Sequence, residues 1–197
     1  MKRERYFNAI EFKDIKGIIY NSAKQYAQNI AFTIKHKNDK DVSYENITFK
    51  RLLQDINAFG TKLYEMGLKT KRIAVVGRNR YEWVVAHLSN MLGGIVSVPL
   101  DKELQVDELE SCLERSKADV VVFDEKYIEN IDEIKKRGNT NLQKYICMSK
   151  KEGYEDFWEL KEQGEKLLQQ GKKEYIEAEI NEDEMAILLF TSGTTSK

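Results

Sequence analysis

Residues 72–100 read RIAVVGRNRYEWVVAHLSNMLGGIVSVPL. Two short β-branched runs, 72–77 and 95–100, flank a segment with helical spacing, in which Val84, Val85, Leu88, Met91 and Leu92 are expected to face inward. A strand, a helix and a second strand in so short a span form a βαβ unit, whose strands run parallel. The pattern then repeats. VDELESCLERSK predicts a helix and ADVVVFDE a strand; KYIENIDEIKKRG predicts a helix and KYICMS a strand; FWELKEQGEKLLQQG predicts a helix and MAILLF a final buried strand. Near-continuous apolar strands between charged amphipathic helices predict an α/β fold, a layered αβα sandwich on a largely parallel sheet.

Upstream, IKGIIYNSAKQYAQN carries Ile15, Ile18, Ile19, Ser22 and Tyr26 at helical spacing. The alternation of Ala31 with Thr33 and of Val42 with Tyr44, around Asn38-Asp39, predicts two short strands and a turn. Thr48 is a plausible N-cap for a helix that buries Leu52, Leu53, Ile56, Phe59, Leu63 and Met66, and Gly67 closes it. Repeats, low-complexity tracts and linkers are lacking, so one domain, or part of one, is expected over 1–197.

The 197 residues include 32 Lys+Arg and 33 Asp+Glu, a formal net charge of −1. This balance excludes a general nucleic-acid binder, which needs a basic field. The run Lys69-Thr70-Lys71-Arg72 fits a solvated turn. Cys112 and Cys147 lack metal-ligand spacing and suit small buried hydrophobes in a reducing compartment. No apolar run reaches signal-peptide or transmembrane length, so a cytoplasmic protein is expected.

Ligands of open α/β sheets bind where strands end at their carboxyl edge. Gly77-Arg78-Asn79-Arg80 follows one strand, with Asn79 as a helix cap. Gly93-Gly94 suits a helix C-cap and a tight step into the sheet. Pro99-Leu100-Asp101 offers Asp101 as another cap. The last strand leads into Thr191-Ser192-Gly193-Thr194-Thr195-Ser196-Lys197. Gly193 permits a turn that a side chain would block. Successive backbone N–H groups in such a turn form an anion-binding concavity, and the surrounding hydroxyls can donate to phosphate or approach a magnesium ion. The spacing is not that of a Walker loop. A phosphate loop and a hydroxyl-rich tail both fit these residues. His87 and His36 suit structural roles. No nucleophile with a base partner is visible, so no catalytic residue is assigned.

LLFTSGTTSK (188–197) resembles the start of the Thr/Ser/Gly-rich phosphate loop of the AMP-forming adenylating enzymes, which include acyl-CoA synthetases, adenylation domains and luciferases. ITFKRLLQDINAFGTKLYEMGLKTKRIAVVGRNRYEWVVAHLSNMLGGIVSVPLDKEL (47–104) is similar to their N-terminal region. NRYEWVVAHL and VPLDKEL look most like the bacterial long-chain fatty acid–CoA ligases. The resemblance implies the N-terminal subdomain of a synthetase-like large domain, with ATP, Mg²⁺ and coenzyme A as cofactors and a fatty acid as substrate. Thr191, Ser192, Gly193, Thr194, Thr195 and Ser196 would hold the triphosphate, with Thr191 near Mg²⁺. Ser196 stands where the family usually has glycine, and Lys197 precedes the position of the family's loop lysine, whose role is not transferred to it. The adenine segment, most of the acyl pocket and the mobile C-terminal domain lie downstream in the family, so these 197 residues alone are expected to be inactive. Two other readings fit the residues, a standalone α/β binding module and an adenylation domain that loads a carrier protein. An exposed apolar edge at 186–190 is also expected, through which the chain would self-associate.

Overall fold

The computed structural model describes residues 10–37 and 41–191. The 72–100 unit forms as expected. Strand β3 (Arg72–Val76) and strand β4 (Val96–Leu100) pair in parallel around helix α3 (Tyr81–Leu92). Strand β5 (Val120–Phe123), strand β6 (Lys144–Cys147) and a two-residue strand β7 (Glu155–Asp156) complete a parallel sheet of order β4-β3-β5-β6-β7. The unpredicted β7 is too short to carry a pattern of alternation.

Alternate strand residues feed two cores. Ile73, Val75, Val120, Val122 and Ile146 pack beneath helices α2 (Phe49–Glu65), α3 and α6 (Phe157–Gln169). Ala74, Val76, Val121, Phe123 and Cys147 pack beneath helices α4 (Val106–Ser116) and α5 (Ile128–Arg137), with Cys112 in the same cluster. Both cysteines are therefore buried and free of disulfides, as the small buried hydrophobes expected. Helix α1 (Ile15–Gln25) lies outside α2, and an antiparallel hairpin of β1 (Ile30–Lys37) and β2 (Val42–Thr48) precedes α2.

Local signals explain most element ends. Thr48 accepts from the Arg51 amide at 3.2 Å, and Gly67 turns left-handed (φ +76°) just past α2. Gly93 caps α3, and Gly94 (φ +66°) makes the step into β4. Asn79 does not cap α3, because the N-cap position falls on Arg80, whose side chain is occupied by carboxylates. Asp101 closes its own turn through the Glu103 amide at 2.9 Å, and α4 is capped by Gln105 with Glu108.

The stripe predicted for α3 is displaced. Val85, Ala86, Ser89, Asn90 and Leu92 are buried, while Val84, Leu88 and Met91 lie on a half-buried flank. Small and polar residues allow α2 to come close, and Ser89 Oγ donates to Ile56 O at 3.1 Å across the contact. Apolar periodicity overlooks a face built in this way. In α1, Ile18 and Tyr26 are exposed and Ala23 is buried instead. Helices α2 and α6 approach so closely that a Cβ on Gly164 would fall 1.8 Å from Ala58 O.

The final segment departs most from expectation. MAILLF does not form a buried strand. A single parallel bridge joins Ile187 to Ser97 on the outer edge of β4, closed by Ser97 N→Ala186 O (2.9 Å) and Leu188 N→Ser97 O (3.0 Å). Leu188 and Phe190 settle on the α4 side, with Arg115 over the Phe190 ring at 5.4 Å, while Met185 and Leu189 are exposed. A strand of a parallel sheet is normally covered on both faces. Among the described residues this segment has β4 on one edge only.

Candidate functional site

The carboxyl edge of the sheet is formed where β3, β4, β5 and β6 end. Gly77 leaves β3 against the start of the next loop, and a Cβ there would lie 2.9 Å from Asp124 Cβ. That approach lets Arg78 and Arg80 reach over the edge. Arg78 grips the fully buried Asp124 through Nε (2.7 Å) and Nη2 (2.8 Å), and Glu125 through Nη2 (2.9 Å). Arg80 holds Glu82 with Nε and Nη2, each at 2.8 Å, and Glu125 with Nη1 at 2.6 Å. Ser149 Oγ donates to Glu125 at 2.7 Å, and Trp158 Nε1 donates to Glu82 at 3.1 Å. The cluster thus ties the loops after β3, β5 and β6 to α3 and α6.

Burial pushes the carboxyl groups of Asp124 and Glu125 upward, but their bonds outweigh it and hold both below the usual carboxylate range. Arg78 and the Lys126 amide act on Asp124, and Ser149 and Arg80 act on Glu125. The Arg80 guanidinium is held further toward its charged form, chiefly by Glu82 and then by Glu125. Two guanidinium groups face three carboxylates here, so both guanidiniums are paired and the cluster keeps a net negative charge.

A second buried carboxylate lies nearby. Asp55 accepts from Arg51 Nε (3.0 and 2.9 Å) and from Tyr81 OH (2.8 Å), and Lys161 Nζ stands 3.7 Å away. Burial, then Asp55, drives the Tyr81 phenol far above its ordinary pKa, so it acts as a donor. Between this group and the hairpin lies a groove of about 930 Å³, lined by Phe32, Arg51, Arg80, Tyr81, Trp83 and Trp158 among others. None of these residues stood out in the sequence, apart from Arg80. The i,i+4 spacing of Arg51 and Asp55 was the available signal.

His87 is half-buried on α3, with Nδ1 2.8 Å from Ser97 Oγ and its ring 5.1 Å from that of Trp83. Burial lowers its pKa. His36 meets Glu45 at 3.0 Å across the hairpin. Each histidine thus has a side-chain partner within the fold.

Thr191 is exposed and follows the segment bridged to β4. Counted along that parallel register, it falls level with Asp101, one residue past the end of β4. Ser192, Gly193, Thr194, Thr195 and Ser196 lie outside the described residues. The chain direction thus carries the described segment, as far as Thr191, toward the carboxyl edge. Among the described residues no helix is long and apolar enough to cross a membrane.

A parallel sheet covered by helices on both faces, with its last described segment directed at the carboxyl edge, is an open α/β architecture, in which ligands bind at that edge. The chain belongs to the AMP-binding enzyme family, whose sequence model matches residues 19–197. It is 30% identical over 109 residues to the mitochondrial medium-chain acyl-CoA ligase of Bos taurus, a match covering 54% of this chain and 17% of that protein. A long-chain-fatty-acid–CoA ligase from Archaeoglobus fulgidus shares the fold at a TM-score of 0.76 and 16% identity, over 98% of this chain and 38% of that one. An anthranilate–CoA ligase crystallised with anthranoyl-AMP aligns at a TM-score of 0.65 and 19% identity, over 79% of this chain and 28% of that one. The chain thus spans well under half the length of each of these proteins, and it matches the N-terminal subdomain of the acyl-CoA ligases.

Proposed function

We propose that this chain is the N-terminal part of an ATP-dependent acid–CoA ligase, and that Thr191 to Ser196 hold the triphosphate. One observation supports the proposal: the segment before Thr191 docks parallel on β4 and runs toward the carboxyl edge. The charge on the edge agrees with it. Arg78 and Arg80 are already saturated by carboxylates, so an incoming phosphate is left to backbone amides and hydroxyls, which the terminal sequence supplies. Thr191 offers an exposed oxygen of the kind Mg²⁺ takes.

In the reaction, a carboxylate oxygen attacks the α-phosphorus of ATP and pyrophosphate leaves, giving an acyl-adenylate. The sulfur of coenzyme A then attacks the acyl carbon and AMP leaves. The part played by the protein is positioning and stabilisation of charge. A fatty acid, of the long-chain class, is the substrate proposed from the resemblance of NRYEWVVAHL and VPLDKEL. The relatives named above take medium-chain, long-chain and aromatic acids. A cytoplasmic setting belongs to the same proposal, although the bovine relative is named as mitochondrial. The exposed Met185 and Leu189 further support self-association of the isolated chain through that edge.

The test is ATP–pyrophosphate exchange by the natural polypeptide containing this sequence, with fatty acids of graded length, aromatic acids and no acid. Exchange dependent on one acid class, lost in Thr191→Ala and absent from residues 1–197 alone, is the expected result. No exchange with any acid would overturn the proposal, and acyl transfer to a carrier protein in place of coenzyme A would correct the acceptor.

A further inference from the structure

Beneath the bridge that docks the final segment lies a buried polar group that packing does not require. Ser97 is fully buried on β4, with its side chain on the α3 side of the sheet. Its Oγ lies 2.8 Å from His87 Nδ1 and accepts from Asn90 Nδ2 at 3.3 Å. Asn90 is also fully buried, and its Oδ1 has no hydrogen-bond partner. An unmet acceptor of this kind costs about 1–3 kcal/mol, whereas alanine and leucine would fill such a space at no polar cost. The main chain of Ser97 meanwhile makes both hydrogen bonds that hold Ala186 and Leu188. One residue thus has its side chain clamped by α3 and its backbone committed to the segment that leads to Thr191.

A consistent pattern of protons follows. Asn90 donates to Ser97 Oγ, which leaves the Ser97 hydroxyl proton for His87 Nδ1, so the neutral ring carries its own proton on Nε2. The hydroxyl is then held from two sides, which ties Ser97 on β4 to α3. Helix α3 is itself anchored at its first turn, where Glu82 is held by Arg80 and Trp158. The clamp therefore refers the edge of β4 to the same frame as the carboxyl-edge cluster.

We propose that His87, Asn90 and Ser97 are positioning residues that set the register of Ala186–Phe190 on β4 and so fix where Thr191 begins. Only the consequence for ATP rests on the proposed function; the register is a property of the chain itself.

Amide exchange tests it in the 197-residue chain, with the Leu188 amide as reporter and Val122 as the reference within the sheet. Ser97→Ala is expected to speed exchange at Leu188 by roughly five- to tenfold, the order set by one net hydrogen bond at a marginal edge, and to leave Val122 unchanged. Ser97→Thr, which keeps a hydroxyl, should restore protection, and His87→Phe should resemble Ser97→Ala. Equal protection of Leu188 in wild type and Ser97→Ala would overturn the proposal, as would a loss shared equally by Val122. In the natural polypeptide, Ser97→Ala should raise the KM for ATP more than it lowers kcat. If the wild type binds no ATP but the exchange result holds, the nucleotide reading fails and the clamp stands.

Discussion

Replacing Tyr175 tests what holds the chain together between α6 and the final segment. Tyr175 is fully buried although it sits in an irregular stretch. Its ring fills a space made by two glycines. A Cβ on Gly60 would lie 2.1 Å from the ring, and one on Gly93 would lie 2.6 Å from it. Tyr64 packs edge-on at 5.2 Å, and the hydroxyl donates to Ser89 O at 2.9 Å. Lys16 Nζ donates to the carbonyls of Tyr175 (3.2 Å) and Ala178 (2.6 Å), so the strap is tied from α1 as well. Burying about 200 Å² at ~25 cal/mol per Å² is worth about 5 kcal/mol as an upper figure. Aromatic-to-alanine changes in cores cost about 3–5 kcal/mol, and one lost hydrogen bond about 1 kcal/mol. Tyr175→Phe is therefore expected to cost about 1 kcal/mol and Tyr175→Ala about 4 kcal/mol, a large part of the 5–15 kcal/mol typical of a domain. Urea titrations followed by circular dichroism measure both, and proteolysis should cut first within 172–191 in the alanine variant. A cost below about 1.5 kcal/mol for Tyr175→Ala would refute the packing argument. Equal costs for the two variants would make the hydroxyl, not the ring, the anchor.

Two further outcomes follow from the carboxyl edge and from α3. Asp124→Asn keeps the shape of the side chain but removes the charge gripped by Arg78, and should cost about 2–3 kcal/mol in the same titration; a change within about 0.5 kcal/mol would make the pair ornamental. Burial lowers the pKa of His87 in the folded chain, so the unfolded chain takes up that proton more readily; the associated stability is full above about pH 6.5 and falls as pH drops through that value. His87→Gln should flatten the stability profile below about pH 6.5, whereas Asp124 and Glu125, whose pKa values are depressed, lose their contributions only as pH falls below about 4. An unchanged slope in His87→Gln would count against the buried, neutral ring.

The βαβ order was legible because each element carries its own period: β3 and β5 are continuous apolar runs, and α2 keeps Leu52, Ile56, Phe59 and Leu63 on one stripe. The capping assignments succeeded at Thr48 and Gly93, where the cap is local. They failed at Asn79 and Asp101, where a neighbouring residue competed through longer-range or alternative local bonds. Long-range polar pairing left no trace in local pattern. Arg80 meets Glu125 across 45 positions, and Lys16 meets Ala178 across 162. Tyr175 was invisible for the same reason, since the space it fills is made by Gly60 and Gly93 on two other helical segments. The hydroxyl-rich terminus was the opposite case. Its composition fitted both a phosphate loop and a hydroxyl-rich tail, only the resemblance favoured the loop, and the fold adds the direction of the chain as far as Thr191.

That direction bears on how a phosphate would be met. Arg78 and Arg80 are spent on Asp124, Glu82 and Glu125, a cluster with one more carboxylate than guanidinium. A triphosphate approaching such an edge would be repelled unless dipoles or a cation intervened. Backbone amides of a glycine-containing turn supply dipoles without adding net charge, and Mg²⁺ would supply the cation. The arginines, for their part, act as struts that keep the loops after β3, β5 and β6 in fixed relation while Thr191 is brought alongside.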